Sequence, residues 1–196
     1  MKKILLAMLV VMMSSVLFAG QIVPKISFDN HASGGFNAEG DKDTYKTEIA
    51  MGIGAEYLQS LNDNLSVGGG VFYQMDRKLK DSDDDNNKFS FMPIYVTGEY
   101  LIKTENDKMI PFAKLNLGYA SYTNNYNDDD ISSKTGGLYY GLGGGVKVNE
   151  KIKVDLMYNV YAGSYKLGND LDSSKIDVDQ KYSTISLSVG YIFDIA

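Results

Sequence analysis

Apolar and polar side chains alternate residue by residue in eight separate runs of this chain, and few folds tolerate that pattern. A period of two is the period of a β-strand with one face apolar. In residues 47–58, Ile49, Met51, Ile53, Ala55 and Tyr57 share one face, opposite Glu48, Ala50, Gly52, Gly54 and Glu56. The pattern recurs over residues 65–75, 111–122, 138–148, 152–162 and 183–193. Two runs are less regular. Residues 22–36 set Ile26 and Phe28 against Lys25, Ser27, Asp29 and His31, and residues 89–102 set Met92, Ile94, Val96 and Tyr100 against Phe91, Tyr95, Thr97 and Glu99.

Between the runs the connectors alternate in length. Short polar turns lie at residues 62–64, 104–108 and 149–150, and long ones at 37–44, 81–87, 124–135 and 168–180. That order describes eight antiparallel strands with all long loops at one end and both termini at the other. The expected fold class is all-β: an eight-stranded antiparallel up-and-down transmembrane β-barrel. A soluble sandwich alternates too, but its strands are usually about 5–6 residues long. These runs have the roughly 9–11 residues of a tilted strand that crosses hydrocarbon, or slightly more. A strand in lipid must satisfy every backbone group within the protein, so the sheet has to close.

Ahead of the runs stands a leader. Lys2 and Lys3 precede an unbroken apolar stretch over residues 4–13, then Ser14, Ser15 and the small exit Ala19-Gly20. Residues 1–20 are read as a secretory signal peptide, with cleavage at Ala19 or Gly20, and 21–196 as one barrel domain. The apolar stretch is shorter than the roughly 20 residues of a membrane helix. Without the leader the chain has 17 Lys and Arg against 25 Asp and Glu. That acidic balance disfavours nucleic acid as a partner. No Cys and a single His argue against disulfides, a thiol nucleophile and a His-rich metal site, so no cofactor and no metal are expected.

The even strand number, the asymmetric connectors and the closing run over 183–193 resemble the small eight-stranded outer-membrane barrels of Gram-negative bacteria, the OmpA transmembrane domain and OmpX-like group. The resemblance implies an exported monomer in the outer membrane, in contact with membrane lipids and lipopolysaccharide, its loops offered to a host or surface protein. Three features depart from the group's usual pattern. Phe193 is followed by Asp194-Ile195-Ala196, Pro93 lies inside a strand, and Trp is absent.

Three sets of residues are expected to matter. Tyr57, Tyr100, Tyr191 and Phe193 at the turn end, and Tyr73, Tyr119 and Tyr140 at the loop end, form two aromatic girdles of the kind lipid interfaces select. On the inward face, Glu48, Glu56, Glu99 and Asp155 meet Lys25, Lys114, Lys147 and Lys153 in a lumen too narrow for much else. Buried charges need partners, so a hydrogen-bonded plug is expected. The loops hold 14 of the 25 acidic residues, among them Asp81, Asp83, Asp84, Asp85, Asp128, Asp129 and Asp130. Asp81, Asp83 and Asp85 have the opening spacing of a calcium loop, but Asn86 and Met92 stand where its Gly and closing Glu belong.

The glycine runs at 68–70 and 141–145 lack the strand-then-helix setting and the Gly-Lys-Ser/Thr ending of a nucleotide loop. The expected role is structural or interactive, with no catalytic residue. Two alternatives stay open: a lipid A acyltransferase or deacylase using His31, with Asp81-Ser82 in the second loop, and a narrow small-solute channel.

Overall fold

The computed structural model describes residues 20–38, 41–46, 48–78, 88–105, 108–124, 131–167 and 176–195. Among these residues eleven strands build eight staves. They are β1 (Gly20–Ala38), β2 (Asp41–Lys46) continued by β3 (Ala50–Ser60), β4 (Leu65–Gln74) continued by β5 (Arg77–Lys78), β6 (Lys88–Leu101), β7 (Met109–Asn124), β8 (Ile131–Val148), β9 (Ile152–Leu167), and β10 (Ile176–Tyr191) continued by β11 (Phe193–Ile195). Each stave pairs antiparallel with the next, and β1 pairs with β10 from Lys25↔Gly190 to Ala38↔Val178, which closes the barrel. Closure leaves neither the first nor the last strand as a free edge.

The alternation holds in three dimensions. Ile26, Phe28, Ile53, Val71, Leu115, Leu117, Leu142, Leu156 and Leu187 are exposed on the outer wall. Lys25, Glu56, Tyr95, Glu99, Lys114, Tyr139, Asp155 and Tyr182 are buried inside it. Apolar outside and polar inside is the reverse of a water-soluble sheet and fits a barrel in lipid. Among the described residues no helix is long and apolar enough to cross a membrane.

The turn end is tightly made. Asn149 and Glu150 both have positive φ (49° and 59°), and Lys151 N–H donates to the Val148 carbonyl at 3.2 Å. This is the two-residue turn whose twist matches that of its flanking strands. Between β3 and β4, the Asn62 side chain accepts the amides of Asn64 and Leu65 at 3.0 and 2.9 Å.

The loop end differs from the sequence expectation. Residues 41–44, 131–135 and 176–180, read as loop, are strand, and the β1–β2, β8–β9 and β9–β10 ladders continue through them. Pro93 lies inside β6, at a seam. Pairing of β4 with β6 runs from Leu65↔Tyr100 to Val71↔Ile94 and resumes only at Arg77↔Phe89. A proline has no N–H to give a ladder, so it sits where a neighbour has let go. Its other neighbour, Ala120 of β7, stays in register.

Candidate functional site in the barrel lumen

Eight staves leave an interior that side chains can fill, and here they fill it in tiers. At the turn end Val23, Leu58 and Ile192 form an apolar floor. Above the floor lies the charge tier. Glu56 on β3 accepts from Lys25 Nζ at 2.7 Å, from Lys114 Nζ at 2.6 Å on both oxygens, and from the Tyr95 hydroxyl at 2.7 Å. Lys153 Nζ approaches Glu56 at 3.4 Å and donates to Glu99, which Lys114 also approaches at 3.4 Å. Lys153 also lies 5.0 Å from the centroid of the Phe112 ring, a cation–π distance. Five staves thus meet at two carboxylates. Buried ions are retained when each has a partner, since an uncompensated one is costly.

Room for this hub comes from glycine. A Cβ at Gly70 would lie 2.7 Å from Tyr95 Cζ and 2.9 Å from Glu56 Cγ. Any side chain there would occupy the space the hub uses.

Next comes a belt of amides and hydroxyls that crosses five staves in order. Thr97 donates to Asn116 at 2.7 Å, Asn116 to the Tyr139 hydroxyl at 3.2 Å, Tyr139 to Asn159 at 2.9 Å, and Asn159 to Ser186 at 2.9 Å. At the loop end is an aromatic tier. Phe91 stacks on Tyr161 and Tyr182 with centroids 5.1 and 5.8 Å apart, and Phe89 meets Tyr182 edge-on at 5.5 Å. Arg77 reaches into this tier, paired with Asp29 and donating to the Tyr182 hydroxyl. Gln74 ties the same Asp29 to the Tyr161 hydroxyl, at 3.2 and 2.7 Å. A cavity of about 20 Å3 lies between the tiers, bordered by Lys25, Tyr95 and Asn159 among others. Only about one water would fit such a volume.

Of the expected lumen charges, Glu56, Glu99, Lys25, Lys114 and Lys153 come together as one network. Lys147 is buried on the inward face of β8, and Asp155 is buried on β9 with neither carboxyl oxygen hydrogen-bonded. Asp155 is within electrostatic range of Lys25 and Lys114. Glu48 does not join them. It lies in the interruption between β2 and β3, where the ladder has lapsed, and its side chain is exposed. Alternation assigns a face only while the strand is paired, which is why the inward assignment of Glu48 fails.

The girdle residues all lie on the outer wall. Tyr73, Tyr100, Tyr140, Tyr191 and Phe193 are exposed, and Tyr57 and Tyr119 are half-buried. Tyr191 and Phe193 pack with centroids 4.8 Å apart. Asp81, Asp83, Asp84, Asp85, Asp128, Asp129 and Asp130, together with Ser82 and the leader up to Ala19, lie outside the described residues. His31 lies in β1 where its pairing with β10 shifts register between Asn30 and Ser33, and its side chain is outside what is described.

Sequence reasoning missed Arg77, Gln74 and the tyrosine hydroxyls as network members. The inward phase of their strands carries Tyr95, Tyr139 and Tyr161, so that signal was present. Arg77 follows a break at residues 75–76, beyond which phase predicts nothing.

The profile of the outer membrane protein beta-barrel domain matches residues 5–193. Among solved structures the chain is similar to OprG of Pseudomonas aeruginosa, at 14% identity and a TM-score of 0.55, covering 89% of this chain and 95% of that one. It is also similar to Ail of Yersinia pestis (20% identity, TM-score 0.47, 89% and 99% covered) and to Neisserial surface protein A (15%, 0.47, 90% and 99%). No curated protein matches in sequence. With its closed eight-stave wall, apolar outside and polar within, the chain belongs to the outer membrane protein β-barrel family and resides in the outer membrane of a Gram-negative bacterium.

Proposed function

We propose that this barrel is a structural and interactive wall element, with its lumen sealed to solutes and its acidic loops displayed to the outside. Its immediate partners are membrane lipids and lipopolysaccharide, it works as a monomer, and a host or surface protein meets the loops. The observation that carries the reading is the Glu56 hub, where three lysines and Tyr95 converge across the axis between an apolar floor and an aromatic tier. A solute would have to break several charge-assisted hydrogen bonds in low dielectric, and these are the strong kind. Planar-bilayer recording tests it: the purified barrel should give no sustained open level, and a steady large conductance would overturn the seal. We also propose that no catalysis occurs at His31. Lipid A mass spectra should then be unchanged when the gene is deleted, and an altered acyl pattern would point to the enzyme instead.

A second reading, sideways passage of small apolar solutes, is favoured by the seam between β4 and β6, which opens beside the aromatic tier. The chain has no Cys, and Tyr73 and Met92 would face each other if the Val71↔Ile94 register ran on, so Tyr73→Cys with Met92→Cys tests a staple across the seam, its formation checked by non-reducing gel. Uptake of an apolar solute that stops on oxidation would support passage. Equal uptake by stapled and unstapled barrels would leave the sealed wall.

A further inference from the structure

The outer wall carries large aliphatic and aromatic side chains over most of its described area, and thins between β1 and β3. Pro24 of β1 and Ala55 of β3 pair with each other, and both are outward positions with little side chain. Together with the backbone of Gly54 and Gly190 they floor an outward-facing trough of about 860 Å3. Ile53, Val71, Val189 and Tyr191 rise around it, each 40–50% exposed. The trough runs from Tyr73 at the loop-end girdle to Ile152 and Tyr191 at the turn end, so it spans the hydrocarbon zone.

Just past its lower end stands an exposed ion pair. Lys151, the residue before Ile152, donates to Asp194 Oδ2 at 2.8 Å, and Gln21 donates to Oδ1 of the same carboxylate at 3.0 Å. The two charged side chains are 50% and 58% exposed. Asp194 lies three residues beyond Tyr191, about 10 Å along a strand. That carries it from the hydrocarbon edge across an interfacial layer of about 5–8 Å per leaflet. Short turns and termini face the periplasm in barrels of this kind, so the pair lies at headgroup depth of the periplasmic leaflet.

We propose that the trough and the pair together bind one phospholipid of the periplasmic leaflet whose headgroup carries a phosphate beside a primary ammonium. An acyl chain fills the trough, the phosphate meets Lys151 Nζ, and the ammonium meets the Asp194 carboxylate. The exposed pair is weakly held, so it can exchange its internal contact for two contacts with the lipid. A purely anionic headgroup would satisfy Lys151 but be repelled by Asp194. A second barrel does not fit the trough, because the branched side chains around it keep another convex wall off its floor.

The absence of Trp from the chain makes the test clean. Val71→Trp places a reporter on the trough wall, and Leu117→Trp places one on the lipid-facing wall of β7. Both are reconstituted in phosphatidylcholine vesicles doped with brominated phosphatidylethanolamine or brominated phosphatidylglycerol. The trough reporter should reach half-quenching at about tenfold less phosphatidylethanolamine than the control, with no such gain for phosphatidylglycerol. Lys151→Gln with Asp194→Asn should erase the difference. Equal curves at the two positions, or equal curves for the two headgroups, would overturn the proposal. If Val71→Trp fails to fold, native mass spectrometry of the unlabelled barrel released from the same vesicles decides. One retained phosphatidylethanolamine, lost in Ala55→Phe, supports the site, and its absence from the wild type overturns it.

Discussion

At Glu56 three ammonium groups and a tyrosine hydroxyl converge on two carboxylate oxygens in a place water scarcely reaches. Removing one side of such a cluster strands the other. Glu56→Ala should therefore cost about 3–5 kcal/mol, read from urea unfolding in phospholipid vesicles. Replacing Glu56 and Lys114 together with Met should cost less than the single change, because one charge of each sign leaves. Gly70→Leu should cost about 1–3 kcal/mol or more by overpacking the same spot. Gly98→Ala, where an added Cβ meets nothing within 4 Å, should be neutral or slightly stabilising. At this scale the sequence was readable where a strand was paired. Glu56, Glu99, Lys114 and Lys153 lie where their phase puts them, whereas Glu48 and Arg77 sit at breaks in the ladder, where phase has no meaning.

Among the elements, the β8–β9 turn shows how local strain is stored and can be released. Glu150 holds a left-handed φ of 59° without the freedom of glycine. Glu150→Gly, which creates the Asn-Gly pair such turns prefer, should stabilise the barrel by about 1 kcal/mol. At the neighbouring β11, Lys151 and then Gln21 hold the Asp194 carboxyl below its usual range by hydrogen bonding to it. Asp194 in turn holds the Lys151 ammonium above its own range. A carboxyl depressed in the folded state stabilises above its unfolded value, and that contribution is lost as pH falls through the folded one. An NMR titration should place the Asp194 midpoint below that of a free aspartate, and Lys151→Met should raise it. The polar upper staves, 41–46, 131–135 and 176–180, were harder to read. Residues 41–46 and 131–135 show no apolar alternation, and Ile176 and Val178 alternate only briefly with Asp177 and Asp179, although all three backbones stay paired.

Taken whole, the molecule is a closed wall with a filled centre. A closed hydrogen-bonded ladder opens only cooperatively, so the folded barrel should persist in dodecyl sulfate until heated. Unboiled and boiled samples should then run at different apparent masses on a gel, and a single band at one position would count against closure. The family match and the likeness to OprG concern this wall.

The number of staves, their direction and, wherever a strand is paired, its inward and outward faces were legible in the linear chain. A bilayer sets strand length and demands one apolar face, and both requirements are written residue by residue. The choice of partner for each buried charge was not legible. Which lysine meets Glu56, why Asp155 is left without a hydrogen bond, where β4 releases β6 and how Pro24 comes to lie beside Ala55 depend on the register of strands around a closed ring. Register is set by all eight staves at once, so only the tertiary structure decides those contacts.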